Sequence, residues 1–134
     1  MKSYVLDTSA LLRLYIPDGP LPEGVEEALE LAWRAEAIVF VPELALVECA
    51  QVLLKKARAR FITEAEADEI LDSILELPLE IVGHRELLRD ALEAARRHQL
   101  TAHDALSLAL AADRHGTLLS ADERLVSACQ RDAE

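Results

Sequence analysis

Four short apolar runs recur along the chain, at Tyr4–Leu6, Ile38–Val41, Leu79–Val82 and Thr117–Leu119, and none alternates apolar with polar residues. A strand that is apolar on both sides must be covered on both sides, which is the condition of a parallel sheet between helices. Between the runs the period changes to that of helices. Val25, Ala28, Leu29, Ala32 and Trp33 form one stripe, and Ala67, Ile70, Leu71 and Ile74 a second. Leu87, Leu88, Ala91, Leu92 and Ala95 form a third, each at the spacing of one helix face. Strands alternating with helices predict an α/β fold with a mostly parallel sheet. Pro42 suits the first turn of a helix. Thr63 with Glu66, and Ser120 with Glu123, have the spacing of capping boxes. Two crossovers are expected to carry two helices each, Pro42–Arg60 with Glu64–Leu77 and Arg85–His98 with His103–His115.

At 134 residues the chain is long enough for one domain with a sizeable core, expected to span 1–134. No apolar run approaches the ~20 residues of a membrane span, and the opening MKSYVLDTS is too short and too acidic for a signal peptide. Cys49 and Cys129 have no metal-type spacing. They are expected to be reduced thiols in a cytoplasmic protein, Cys49 as a small buried hydrophobe. The net charge is −11. A surface of that sign repels phosphate backbones, so a nucleic-acid substrate would require cations to offset the acids locally.

Four acids stand out by position. Asp7 follows the first strand directly, at the sheet edge where ligands bind in α/β folds. Asp is also a favoured N-cap, and Thr8 could start a helix. Glu48 lies more than a turn inside a segment whose only other charge between Phe40 and Leu54 is Glu43. Its helical neighbours Leu44, Ala45, Gln51 and Val52 offer no cation. An unpaired carboxylate there is costly unless it points to solvent or something distant satisfies it. Asp104 follows Thr101 at capping-box spacing and opens an almost wholly apolar helix, "DALSLALAA". Asp122 stands just past the last strand in "TLLSADERL", where helix-start chemistry also accounts for an acid. If the four converge, their repulsion raises their pKa values or calls for a cation. An all-oxygen ligand set selects Mg2+ or Mn2+.

These stretches resemble the PIN-domain ribonuclease family over nearly the whole chain. "VLDTSALL" is similar to the family's opening acidic motif and "ELALVECAQVL" to its helix with a single internal Glu. "HDALSLALA" resembles its third acidic element, and "LLSADERL" its strand followed by Ser or Thr, any residue, then Asp. The resemblance implies a three-layer α/β/α fold around a short, mostly parallel sheet of about four strands. It implies Asp7, Glu48, Asp104 and Asp122 as the acidic, metal-holding site, with Ser9 and Ser120 orienting water or metal. It further implies cleavage of RNA dependent on Mg2+ or Mn2+. Many small members are VapC-type toxins, dimeric and paired with an antitoxin, so a cognate antitoxin and a homodimer are expected partners. His103 stands where an aromatic often precedes the third acid, and Ser120 where Thr is commoner. A fifth edge strand carried by many members is not expected before the chain stops at Glu134.

Two rivals remain. An aspartyl phosphatase would place a second acid near Asp7 and a late Lys, whereas Ser9 takes the i+2 place and the lysines are Lys2, Lys55 and Lys56. A catalytically inactive RNA- or protein-binding module would not need all four acids. Arg13 and Arg124, near Asp7 and Asp122 in sequence, are the candidate phosphate contacts. The run Lys55, Lys56, Arg58, Arg60 suits a solvated helix C-terminus. His103 would point about 100° away from Asp104 on a helix, so it is not expected to be a ligand.

Overall fold

The computed structural model describes residues 1–133. Among these are four strands, β1 (Lys2–Leu6), β2 (Ala37–Pro42), β3 (Leu79–Val82) and β4 (Thr117–Leu119). The helices are α1 (Thr8–Arg13), α2 (Val25–Trp33), α3 (Glu43–Arg58), α4 (Glu64–Leu75), α5 (Leu88–His98), α6 (Ala102–Asp113) and α7 (Glu123–Ala133). A 3-10 turn, Arg85–Leu87, leads into α5. The strands form one sheet in the order β3-β2-β1-β4, and every pairing is parallel.

Each strand sends alternate side chains to opposite faces; both faces are apolar in β1 and β2, whereas β3, at the sheet edge, is nowhere fully buried and exposes Glu80 and Ile81. Leu6, Val39 and Val41 pack against Ala10, Leu11, Val25, Ala28, Leu29, Ala45, Cys49 and Ile74, from α1 to α4. Val5, Phe40 and Leu118 pack against α5, α6, Leu125 and Ala128. The result is three layers, as expected. From Ala105 to Ala111, α6 is buried at every position. Its small residues meet Ala91, Ala94 and Ala95 of α5, which lets the two helices approach closely. Gly116 does the same for β4: a Cβ there would lie 3.3 Å from the Ser3 carbonyl oxygen.

Several expectations shift in detail. Pro42 is the last residue of β2, extended at φ −62°, ψ 136° and opposite Val82, so α3 starts one residue later. Thr63 and Glu66 form the full capping box. Ser120 and Glu123 do not. Asp122 occupies that place instead, accepting the Arg124 N–H at 3.0 Å, because the Ser120 hydroxyl is engaged by Asp7. In the second stripe Ile74 alone is fully covered. In the third, Leu88 and Leu92 are each 48% exposed while Ala91, Ala94 and Ala95 are buried. The covered face of α5 is thus the one carrying Ala91, Ala94 and Ala95, packed in one cluster with Leu106, Leu108 and Leu110 of α6. Trp33, at the end of α2, is 65% exposed.

Topology decides where function can sit. The chain leaves β1 along one face of the sheet, through α1 and α2 to β2. It reaches β4 from β3 along the other face, through α5 and α6. Neighbouring strands whose connections depart to opposite faces open a crevice at their carboxyl ends. Here that crevice lies between β1 and β4.

Candidate active site

Asp7 occupies this crevice and is 9% exposed. It caps α1, its Oδ1 accepting the Ala10 N–H at 3.0 Å. Capping uses one oxygen, and the network around Asp7 goes further. The Ser9 hydroxyl donates to Oδ1 at 2.7 Å and the Ser120 hydroxyl to Oδ2 at 2.5 Å. Ser9 Oγ accepts the Ala121 N–H at 2.9 Å, and Ser120 Oγ accepts the Asp122 N–H at 3.0 Å. Two serines thus tie the end of β1 to the end of β4, and the acid they share is fixed on both oxygens. Burial pushes the Asp7 pKa up, against the lowering effect of the bonds from Ser120, Ala10 and Ser9, and the nearby charge of Asp122 adds to the rise.

Glu48 does have a distant partner. The Thr8 hydroxyl donates to Glu48 Oε1 at 2.9 Å, bringing the α3 carboxylate beside the residue that follows Asp7. Thr8 was missed as a site residue. Its signal was indirect, namely the absence of any cation at helical spacing from Glu48.

Asp104 and Asp122 share a cation. Arg124 Nη2 lies 3.4 Å from Asp122 Oδ2 and 3.9 Å from Asp104 Oδ2. The Thr101 hydroxyl caps α6 by accepting the Asp104 N–H at 3.2 Å, which leaves the Asp104 carboxylate to face Arg124. Arg13 is engaged elsewhere. Its Nη1 donates to the Pro20 carbonyl at 3.0 Å and lies where a side chain on Gly19 would be, so it anchors the loop after α1. His103 is exposed and contacts Thr101. Lys56, in the last turn of α3, pairs with Asp18 at 3.0 Å. Cys49 is buried against Glu48, and burial pushes its thiol up to about 12.

These contacts link Asp7, Ser9, Ser120 and Asp122 directly, Asp104 through Arg124, and Glu48 through Thr8. Among the described residues no three Asp, Glu, His or Cys side chains are gathered into a ready-made ligand cage. The four acids that the resemblance implies are instead each held by their own partners. Carboxylates repel, and each here is held by hydroxyls, backbone N–H groups or a guanidinium. The donor set still fits a hard divalent ion. All its ligating atoms are oxygens, and Mg2+ commonly takes one or two carboxylates and keeps several waters.

Known proteins share this fold. The PIN domain family matches residues 4–130. A Pyrobaculum aerophilum protein named Ribonuclease VapC3 is 34% identical over 123 residues, covering 90% of each chain. A crystal structure of another P. aerophilum protein superposes with a TM-score of 0.73 at 22% identity, covering 95% of this chain and 79% of that one. The Rickettsia felis VapBC2 complex, bound to a promoter DNA fragment, superposes with a TM-score of 0.62 at 19% identity over 87% of this chain and 85% of that one. The chain belongs to the PIN domain family.

Proposed function

We propose that this chain is an endoribonuclease dependent on Mg2+ or Mn2+, the toxin of a toxin–antitoxin pair. It acts as one domain over residues 1–134, as a cytoplasmic homodimer held in check by a cognate antitoxin. The observation that carries the reading is Asp7, a nearly buried carboxylate fixed by two serines at the crevice between β1 and β4. The likeness to a relative named as a VapC ribonuclease supports it.

Asp7 and Asp122 would hold the metal, with Glu48 and Asp104 completing the acidic rim. When bound, such an ion polarises a phosphate and lowers the pKa of an attacking water. The chain's own part is orientation. Ser9, Ser120 and the Ala10 N–H donate to Asp7 and leave one lone-pair site unused, on Oδ2. Thr8 turns Glu48 toward the same edge. Arg124 offsets two of the acids, so that a phosphate is not met by unrelieved negative charge. A silent binding module is the second reading, favoured by that pairing of Arg124 with Asp104 and Asp122.

The test is cleavage of single-stranded RNA by the purified chain. Cutting in Mg2+ or Mn2+ that EDTA stops and added metal restores is the expected result. RNA that is bound but left intact across both metals would favour the silent module. Thr8→Val probes orientation separately. It removes the bond to Glu48 and should raise the metal concentration for half-maximal cleavage about 10-fold, the lower end for loss of a group that orients a ligand. An unchanged metal requirement would separate Glu48 from metal binding.

A further inference from the structure

Beyond the acids, an open groove of about 530 Å³ runs between the α5–α6 connection and one face of α7. One wall is the row Arg124, Ser127, Arg131, and the other carries Gln99, with Leu100 lining the groove between. Residues three and seven positions after Arg124 share its helix face, so the row extends about 10 Å along α7 at 1.5 Å per residue. Arg124 belongs to the acid site as well, through Asp104 and Asp122. The groove and the acid site thus share Arg124.

Arg131 is held over the other end. His98, with a side chain 5% exposed, contacts Asp132 Oδ1 through Nε2 at 2.7 Å and faces Arg131 Nη2 through Nδ1 at 3.5 Å. Arg97 Nε also lies 3.3 Å from His98 Nε2, so the ring sits among Arg97, Arg131 and Asp132. Asp132 is also taken by Arg97, at 3.2 Å. Among the described residues Arg131 itself pairs with no acid, although the chain has 25 acids to 14 Lys and Arg. Glu123, at the Arg124 end, is the groove's one carboxylate among the described residues that line it.

We propose that this groove holds the single strand of RNA flanking the scissile bond, with Arg124 and Arg131 on successive phosphates and Gln99 and Ser127 as hydrogen-bonding groups between them. The inference rests on the ribonuclease reading and names where its substrate lies. Arg131, paired with no acid among the described residues, selects an anion, and Arg124, shared with the acids, selects the strand being cut. The volume suits a drug-sized group such as one or two nucleotides and not a duplex.

The experiment measures steady-state cleavage of a labelled single-stranded oligoribonucleotide, and its binding to the Asp7→Asn chain in EDTA. Arg131→Glu should raise KM and the Kd about 10-fold, with kcat within about twofold, and should lower the slope of log K against log salt by about one. Arg131→Gln should fall between, and Arg131→Lys should recover most of the loss. Lys2→Glu, at the amino end of β1 and so away from the crevice, makes the same change in net charge and should leave KM unchanged. Equal KM for Arg131→Glu and the parent, or an equal rise for Lys2→Glu, overturns the groove while leaving the ribonuclease reading intact. A parent chain that neither binds nor cuts the RNA overturns that reading, and the groove with it.

Discussion

Asp7→Asn should lower RNA cleavage by about a hundredfold or more while leaving the fold in place. Groups that only orient a metal ligand cost about 10–100-fold when removed, so a direct ligand loses at least the upper end of that range. The substitution separates two roles that coincide in the structure. Asn is as good an N-cap as Asp, and its side-chain oxygen can still accept from Ala10 N–H and Ser9. On the other side the Asn amide would donate to Ser120 Oγ, whose own hydrogen can turn to Ser9, 3.3 Å away. Geometry is kept and charge is lost. Cleavage assays beside melting curves check this. An Asn variant as active as the parent would reduce Asp7 to a helix cap.

The same residue should set how stability responds to pH and metal. Burial raises the Asp7 pKa above its ordinary 3.8, so the folded chain holds this proton more tightly than the unfolded one. Stability falls with rising pH wherever the folded state binds more protons. In EDTA the term is therefore absent below pH 3.8, grows as pH rises through the folded-state pKa, and is fully present as a penalty at neutral pH. Asp7→Asn lacks it. Its melting temperature should equal or exceed that of the parent at pH 7 in EDTA, and the advantage should vanish below pH 3.8. Adding Mg2+ or Mn2+ should then favour the parent, by about 2.7 kcal/mol at a hundred times the Kd. A parent whose melting temperature ignores millimolar metal would remove Asp7 as a ligand, whatever its pKa.

The sequence by itself determined the sheet. Strands buried on both faces leave uninterrupted apolar runs, as in β1 and β2, and all four expected runs lie within β1 to β4, although the edge strand β3 carries Glu80 and is only partly covered. It also determined the capping of α4, because Thr63 and Glu66 act within one turn and need no distant partner. Helix faces were less legible. Leu88 and Leu92 fit a stripe but stay half-exposed, since the face of α5 that α6 covers is the one carrying Ala91, Ala94 and Ala95. Periodicity shows that a helix has an apolar face, and only the neighbour decides which residues are covered.

For the site, sequence marked Asp7, Glu48, Asp104 and Asp122, but nothing local could say how they relate. Tertiary structure decided that β4 lies beside β1, which puts Ser120 on Asp7 across 113 positions of chain. It decided that Thr8, on another helix, answers Glu48. It turned Arg13 to a loop carbonyl and set Arg124 between two acids. The physical reason is common to these cases. A cap or a buried strand is satisfied by groups a few residues away, whereas a buried carboxylate takes whatever donor the fold brings within about 3 Å, and that donor is chosen by topology.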